Sequence, residues 1–202
     1  VTKVTNCLLG DDVKATIKAF KNMGVQFESD GSENLIIIGK GRDLVEPIAR
    51  VNLGNSGTAM RLMAGIFSGL NIPAELDGDS SLRSRPMARI ATPLRMMGAD
   101  IKLSEGSVPP INIYRAEGLK AIEYVLPVAS AQVKSAILFA ALFAEGTTVV
   151  KEKVATRDHT ERMFERFGVD LAYSENGISI RGPDVLHSVN IEVPGDISSA
   201  AF

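Results

Sequence analysis

The run Leu53-Gly54-Asn55-Ser56-Gly57-Thr58-Ala59-Met60-Arg61 sets small residues and a hydroxyl at the head of an almost wholly apolar segment. A helix starting there offers unpaired backbone N–H groups and the positive end of its dipole, the chemistry of a phosphate or carboxylate site. The same residues also read as a glycine-containing helix cap with no ligand. In Asp79-Ser80-Ser81-Leu82-Arg83-Ser84-Arg85-Pro86-Met87, Pro86 is expected to start an amphipathic helix. The planar forks of Arg83 and Arg85 suit anionic oxygens, or else are solvated loop charges. Pro127-Val128-Ala129-Ser130-Ala131-Gln132 brings a hydroxyl, free amides and a side-chain amide into one turn, donors for phosphate oxygens and sugar-like hydroxyls. Capping alone accounts for Ser130, but not for a Gln at the head of an apolar helix.

Thr156-Arg157-Asp158-His159-Thr160-Glu161 opens another helix, and His159 beside two carboxylates could be an acid/base group or a surface residue. With two His and only Cys7, and neither HExxH nor CxxC, no metal site is expected. GxSxG, Walker and dinucleotide-binding fingerprints are absent. A net charge of -2 and 5% aromatic residues argue against nucleic-acid binding, so anion recognition has to be local. Cys7 reads as a small core residue that fits a reducing cytoplasm, and the longest apolar run, Ile137 to Ala144, is too short to span a membrane.

The elements that must hold these clusters repeat. FKNMGVQFE, LRMMGADIK and FERFGVDLA each end an amphipathic helix at a glycine, Gly24, Gly98 and Gly168, spaced 74 and 70 residues apart. Each glycine precedes a short alternating strand, and return strands are expected at Leu35 to Ile38, Ile111 to Tyr114 and Ile178 to Arg181. Ser56, Ser130 and Ser198 follow the glycines by 32, 32 and 30 residues, each opening an apolar helix that has to be buried. Short strands, PAELDGD and TTVVKEKV, join the two helix types. The count is one partial unit before Asn55, two full units and a C-terminal stub. Buried helices packed together with short sheets outside them define an α/β (α+β) class.

LGNSGTAMR, DSSLRSRPM, ASAQVKSAILFAAL, TRDHTERM and PGDISSAAF, in that order, resemble the bacterial 5-enolpyruvylshikimate-3-phosphate synthase family over essentially the whole chain. The resemblance implies repeated βαβαββ units and one domain of an inside-out barrel. It implies a first globular domain over 1–194, with 195–202 crossing to a second. The implied reaction moves the enolpyruvyl group of phosphoenolpyruvate to the 5-hydroxyl of shikimate 3-phosphate, in the shikimate pathway to aromatic amino acids. No metal or organic cofactor is implied, and the protein would be a monomeric cytoplasmic enzyme. Gly57, Thr58, Arg85 and Gln132 would bind phosphoenolpyruvate. Ser130, Ala131 through its backbone, Gln132, Thr156 and Arg157 would bind shikimate 3-phosphate. Gly57 leaves room for glyphosate. Leu62 and SAQVK depart from the enterobacterial-like pattern and point to the other subclass.

The family's Lys-Ser-Ile-Ser-His-Arg segment and its acidic proton-transfer pair have no counterpart within residues 1–202. The chain starts without Met and stops inside an apolar stretch. A piece of a longer protein, inactive by itself, is therefore expected. UDP-N-acetylglucosamine enolpyruvyl transferase is the nearest rival, although its reactive cysteine loop has no match here. A non-catalytic repeat module related to RNA cyclase is the alternative of another class.

Overall fold

The computed structural model describes residues 1–195 apart from Asp30 and Asn176. Three short sheets carry the described chain, and all three have the same topology. The first unit runs β4 (Val51–Asn52), α2 (Gly57–Leu70), β5 (Ala74–Asp77), the short α3 (Ser80–Arg83), α4 (Ala88–Met96), β6 (Asp100–Ser104) and β7 (Val108–Tyr114). The second runs β8 (Glu123–Val125), α5 (Ala131–Ala141), β9 (Gly146–Lys151), α6 (His159–Arg166), β10 (Leu171–Ser174) and β11 (Gly177–Gly182). Their sheets are ordered β4-β5-β7-β6 and β8-β9-β11-β10.

The third sheet is built from both ends of the chain. It joins β1 (Thr2–Thr5), β2 (Gln26–Glu28), β3 (Leu35–Ile38) and β12 (Ile191–Glu192) in the order β12-β1-β3-β2, with α1 (Asp11–Asn22) between β1 and β2. Leading strands pair in parallel in every unit: β4 with β5, β8 with β9, and β12 with β1 at Val4↔Ile191. Strand β12, from near the C-terminal end of the described residues, therefore joins the sheet of the N-terminal partial unit as its leading strand. Each unit also gains a leading strand too short to leave an alternating pattern. Ser198 and its expected helix lie outside the described residues.

The repeat glycines do what their spacing implies. Gly24, Gly98 and Gly168 have φ of 93°, 101° and 85°. Behind each helix the glycine N–H donates to Lys21, Arg95 or Glu165, and the next N–H donates to Phe20, Leu94 or Phe164, at 2.9–3.0 Å. Only a residue tolerant of positive φ closes a helix in this way. Pro86 does not start α4, because the Met87 N–H donates to the Ser107 carbonyl at 2.8 Å and Met87 takes the cap position.

Helices α2 and α5 form the centre. Both have nearly all-apolar bodies, and Phe67, Met60, Ile137 and Leu138 are fully buried. At Gly65 a Cβ would lie 2.2 Å from the Ala136 carbonyl oxygen, so the two backbones touch there. Thr58 and Arg61 meet Gln132, Gly65 meets Ala136, and Gly69 meets Phe143. Residue numbers rise together along both helices, so the pair is parallel and both N-termini sit at one end. Among the described residues no helix is long and apolar enough to cross a membrane.

Candidate functional site

Ser56, 1% exposed, caps α2 by accepting from the Ala59 N–H at 3.2 Å, and Ser130 caps α5 by accepting from Val133 at 3.4 Å. Gln132 ties the two starts together. Its Nε2 donates to Thr58 Oγ1 at 2.7 Å and its Oε1 accepts from Arg61 Nη1 at 2.8 Å. Gln132 is half-buried, so its amide is both fixed and reachable.

Three guanidinium groups gather at the α2 start. A Cβ on Gly57 would lie 2.8 Å from Nη1 of both Arg61 and Arg85. Burial first, then the neighbouring Arg89 and Arg85, depress the Arg61 guanidinium below its usual range. Its Nε is buried and has no hydrogen-bond partner among the described residues. Arg85 Nη2 donates to Asn55 Oδ1, and Asn55 Nδ2 donates to Asp79 Oδ2 at 2.9 Å. Asp79 is the acid at hand, but its carboxylate also caps α3 by accepting from Leu82 at 2.8 Å. That backbone bond, then the one from Asn55, hold it below the usual carboxylate value. Two parallel helix starts and three arginines thus leave a local positive excess, and a multiply charged anion would relieve it.

Arg83 belongs elsewhere. Its Nε and Nη2 donate to the Asp77 carboxylate at 2.9 and 2.5 Å, and Arg50 Nη1 donates to the same group at 2.6 Å. Asp77 is 1% exposed, and the Arg83 bonds above all lower its pKa. Neither the anion clamp nor the free loop charge describes Arg83; it satisfies a buried carboxylate.

Thr156 and Arg157 lie just before α6. Thr156 Oγ1 donates to Glu152 Oε1, whose partner oxygen accepts from Lys134 of α5 at 3.0 Å. The structure thus links Thr156 to the α5 start through two side chains, while Arg157 is exposed and unpaired among the described residues. Asp158 accepts from Arg162 at 2.8 Å, and Glu161 turns inward to Lys134, so neither carboxylate orients His159. Among the described residues no group of three His, Cys, Asp or Glu could hold a metal ion. Arg61, Asn55 and Arg89 were not singled out from sequence. A cation one turn into an otherwise apolar helix was the available sign for Arg61.

The sequence profile of EPSP synthase (3-phosphoshikimate 1-carboxyvinyltransferase) matches residues 1–202. The chain belongs to the EPSP synthase family. The 3-phosphoshikimate 1-carboxyvinyltransferases of Hydrogenovibrio crunogenus and Enterococcus faecalis are 50% and 48% identical to it over its whole length. The solved EPSP synthase of Acinetobacter baumannii superimposes with a TM-score of 0.95 at 49% identity, covering 99% of this chain and 45% of that one. The chain spans about half the length of the curated relatives it matches, 47% in both cases. Membership of the EPSP synthase family bears out the resemblance drawn from the five ordered motifs, and the mixed α/β architecture with it.

Proposed function

We propose that residues 1–194 form the first, substrate-binding domain of a cytoplasmic, monomeric 3-phosphoshikimate 1-carboxyvinyltransferase, with 195–202 leading to a second. The enzyme joins the 5-hydroxyl oxygen of shikimate 3-phosphate to the enol carbon of phosphoenolpyruvate. The hydroxyl gives up its proton as this bond forms, the methylene carbon takes up a proton to become a methyl group, and the tetrahedral adduct then loses a methyl proton and phosphate. The observation that carries this reading is the parallel pair of helix starts bridged by Gln132, under Arg61, Arg85 and Arg89, in a chain of this family.

Phosphoenolpyruvate lies at the α2 start, on the N–H groups of Gly57 and Thr58, on Arg85 and on the Gln132 amide. Shikimate 3-phosphate lies at the α5 start, against Ser130, the Ala131 backbone and Gln132, with Thr156 and Arg157 reaching its phosphate. These groups neutralise and orient, and fixed dipoles aimed at developing charge are worth most where water is excluded. The proton-transferring groups lie outside residues 1–202.

Phosphate release by the full-length protein that carries this chain, given both substrates, tests the reading. Turnover that falls at least tenfold in kcat/KM with Arg85→Ala is expected, from loss of a charge-assisted contact worth about 1.5–3 kcal/mol. No turnover with shikimate 3-phosphate, or equal turnover with UDP-N-acetylglucosamine, would refute it.

A further inference from the structure

Lysine is rarely buried, yet Lys134 is 1% exposed within the apolar body of α5. Its ammonium lies 2.5 Å from Glu161, also 1% exposed, and 3.0 Å from Glu152. Glu152 directly follows β9, and its other oxygen accepts from the Thr156 hydroxyl. Ser135 meets Thr160 side chain to side chain at 2.6 Å. The first turns of α5 therefore grip both flanks of the segment that carries Thr156 and Arg157.

The internal repeat shows that the fold does not demand these charges. Four residues beyond the capping serine, α5 has Lys134 where α2 has Met60. Seven residues before the closing glycine, α6 has Glu161 where α4 has Ala91. Met60 and Ala91 are 0% and 1% exposed. An apolar pair thus serves the same positions in the first unit. Replacing a buried ion pair by well-packed apolar groups is commonly neutral or stabilising, so stability does not explain its presence in the second unit. Direction does: one enclosed ammonium fixes two carboxylates, and one of those fixes Thr156.

We propose that Lys134 is a positioning residue for the phosphorylated acceptor. Through Glu152 and Glu161 it sets Thr156 and Arg157 relative to the Ser130–Gln132 turn, while being too deeply buried to touch a ligand itself. This rests on the assignment of shikimate 3-phosphate to those residues.

The test uses the full-length protein carrying this chain. The double variant K134M/E161A installs the pair found in the first unit, and Glu152→Ala alone removes both oxygens that join Lys134 to Thr156. The double variant is expected to keep or raise Tm, to raise KM for shikimate 3-phosphate about tenfold, and to leave kcat and KM for phosphoenolpyruvate within about twofold. Glu152→Ala raises the same KM in the same selective way. A fall in Tm with KM for shikimate 3-phosphate unchanged would make the network a fold element only and overturn the proposal. Should the double variant fail to fold, Glu152→Ala decides, and an unchanged KM for the acceptor overturns it. A wild-type protein that ignores shikimate 3-phosphate would instead refute the functional reading, and this inference with it.

Discussion

Gly57→Ala separates the stability of the α2 start from its chemistry. The added methyl would lie 2.8 Å from Nη1 of both Arg61 and Arg85, whereas ordinary contact begins near 3.4 Å, so each guanidinium has to withdraw by about 0.6 Å. Both contacts are with the far ends of flexible side chains, so the chain folds. Ala in place of Gly in the first helical turn favours the helix by up to about 1 kcal/mol. The cost falls on the anion: one displaced charge-assisted contact is worth about 1.5–3 kcal/mol, or roughly 10- to 150-fold in affinity. Kinetics of the full-length protein should show KM for phosphoenolpyruvate raised by at least about tenfold, with Tm unchanged or higher. Glyphosate inhibition, expected of the wild type, should weaken alongside. An unchanged KM would mean that the two arginines do not define the anion site. A marked fall in Tm would mean that the space above Gly57 is rigid.

Gly65→Ala should destabilise by about 3 kcal/mol or more in chemical denaturation, because its Cβ would meet the Ala136 backbone oxygen at 2.2 Å. Ser56→Ala, which removes a buried cap, should cost about 1 kcal/mol by the same measurement. Asp77→Ala should cost about 2–3 kcal/mol, below the range for a fully enclosed pair because Arg83 and Arg50 are half exposed and regain water. The Asp77 pKa is lower folded than unfolded, so its stabilisation is complete above the ordinary value of 3.8 and is lost as pH falls through the lower folded value. Acid titrations of wild type and Asp77→Ala should therefore begin to approach one another as pH falls below about 4.

The repeat was legible because its markers are local. A glycine forced to positive φ and a serine that accepts from the N–H three residues on announce themselves within one turn, as at Gly98 and Ser56. Strands β4, β8 and β12 were not legible. They are two or three residues long and exist by pairing with a parallel partner across an intervening helix or, for β12, nearly the whole chain. Arg83 and Arg85 look alike in sequence and diverge only because Asp77 points into the protein below one and Asn55 stands beside the other. Lys134 was hidden for a related reason: its partners Glu152 and Glu161 come from beyond β9 and from α6. The spacing of Gln132 on an apolar helix was informative, but the identity of its partners required the parallel register of α2 and α5.

The seam between β1 and β12 bears on how a nascent chain survives its own synthesis. β1, β3 and β2 are complete within the first 38 residues, but the flank of β1 that receives β12 stays open until Ile191 has been made. An open strand flank templates pairing between molecules. Lys3, solvent-facing on β1, places a charge along that flank, a common deterrent to such association. Pairing with β12 then removes that open flank.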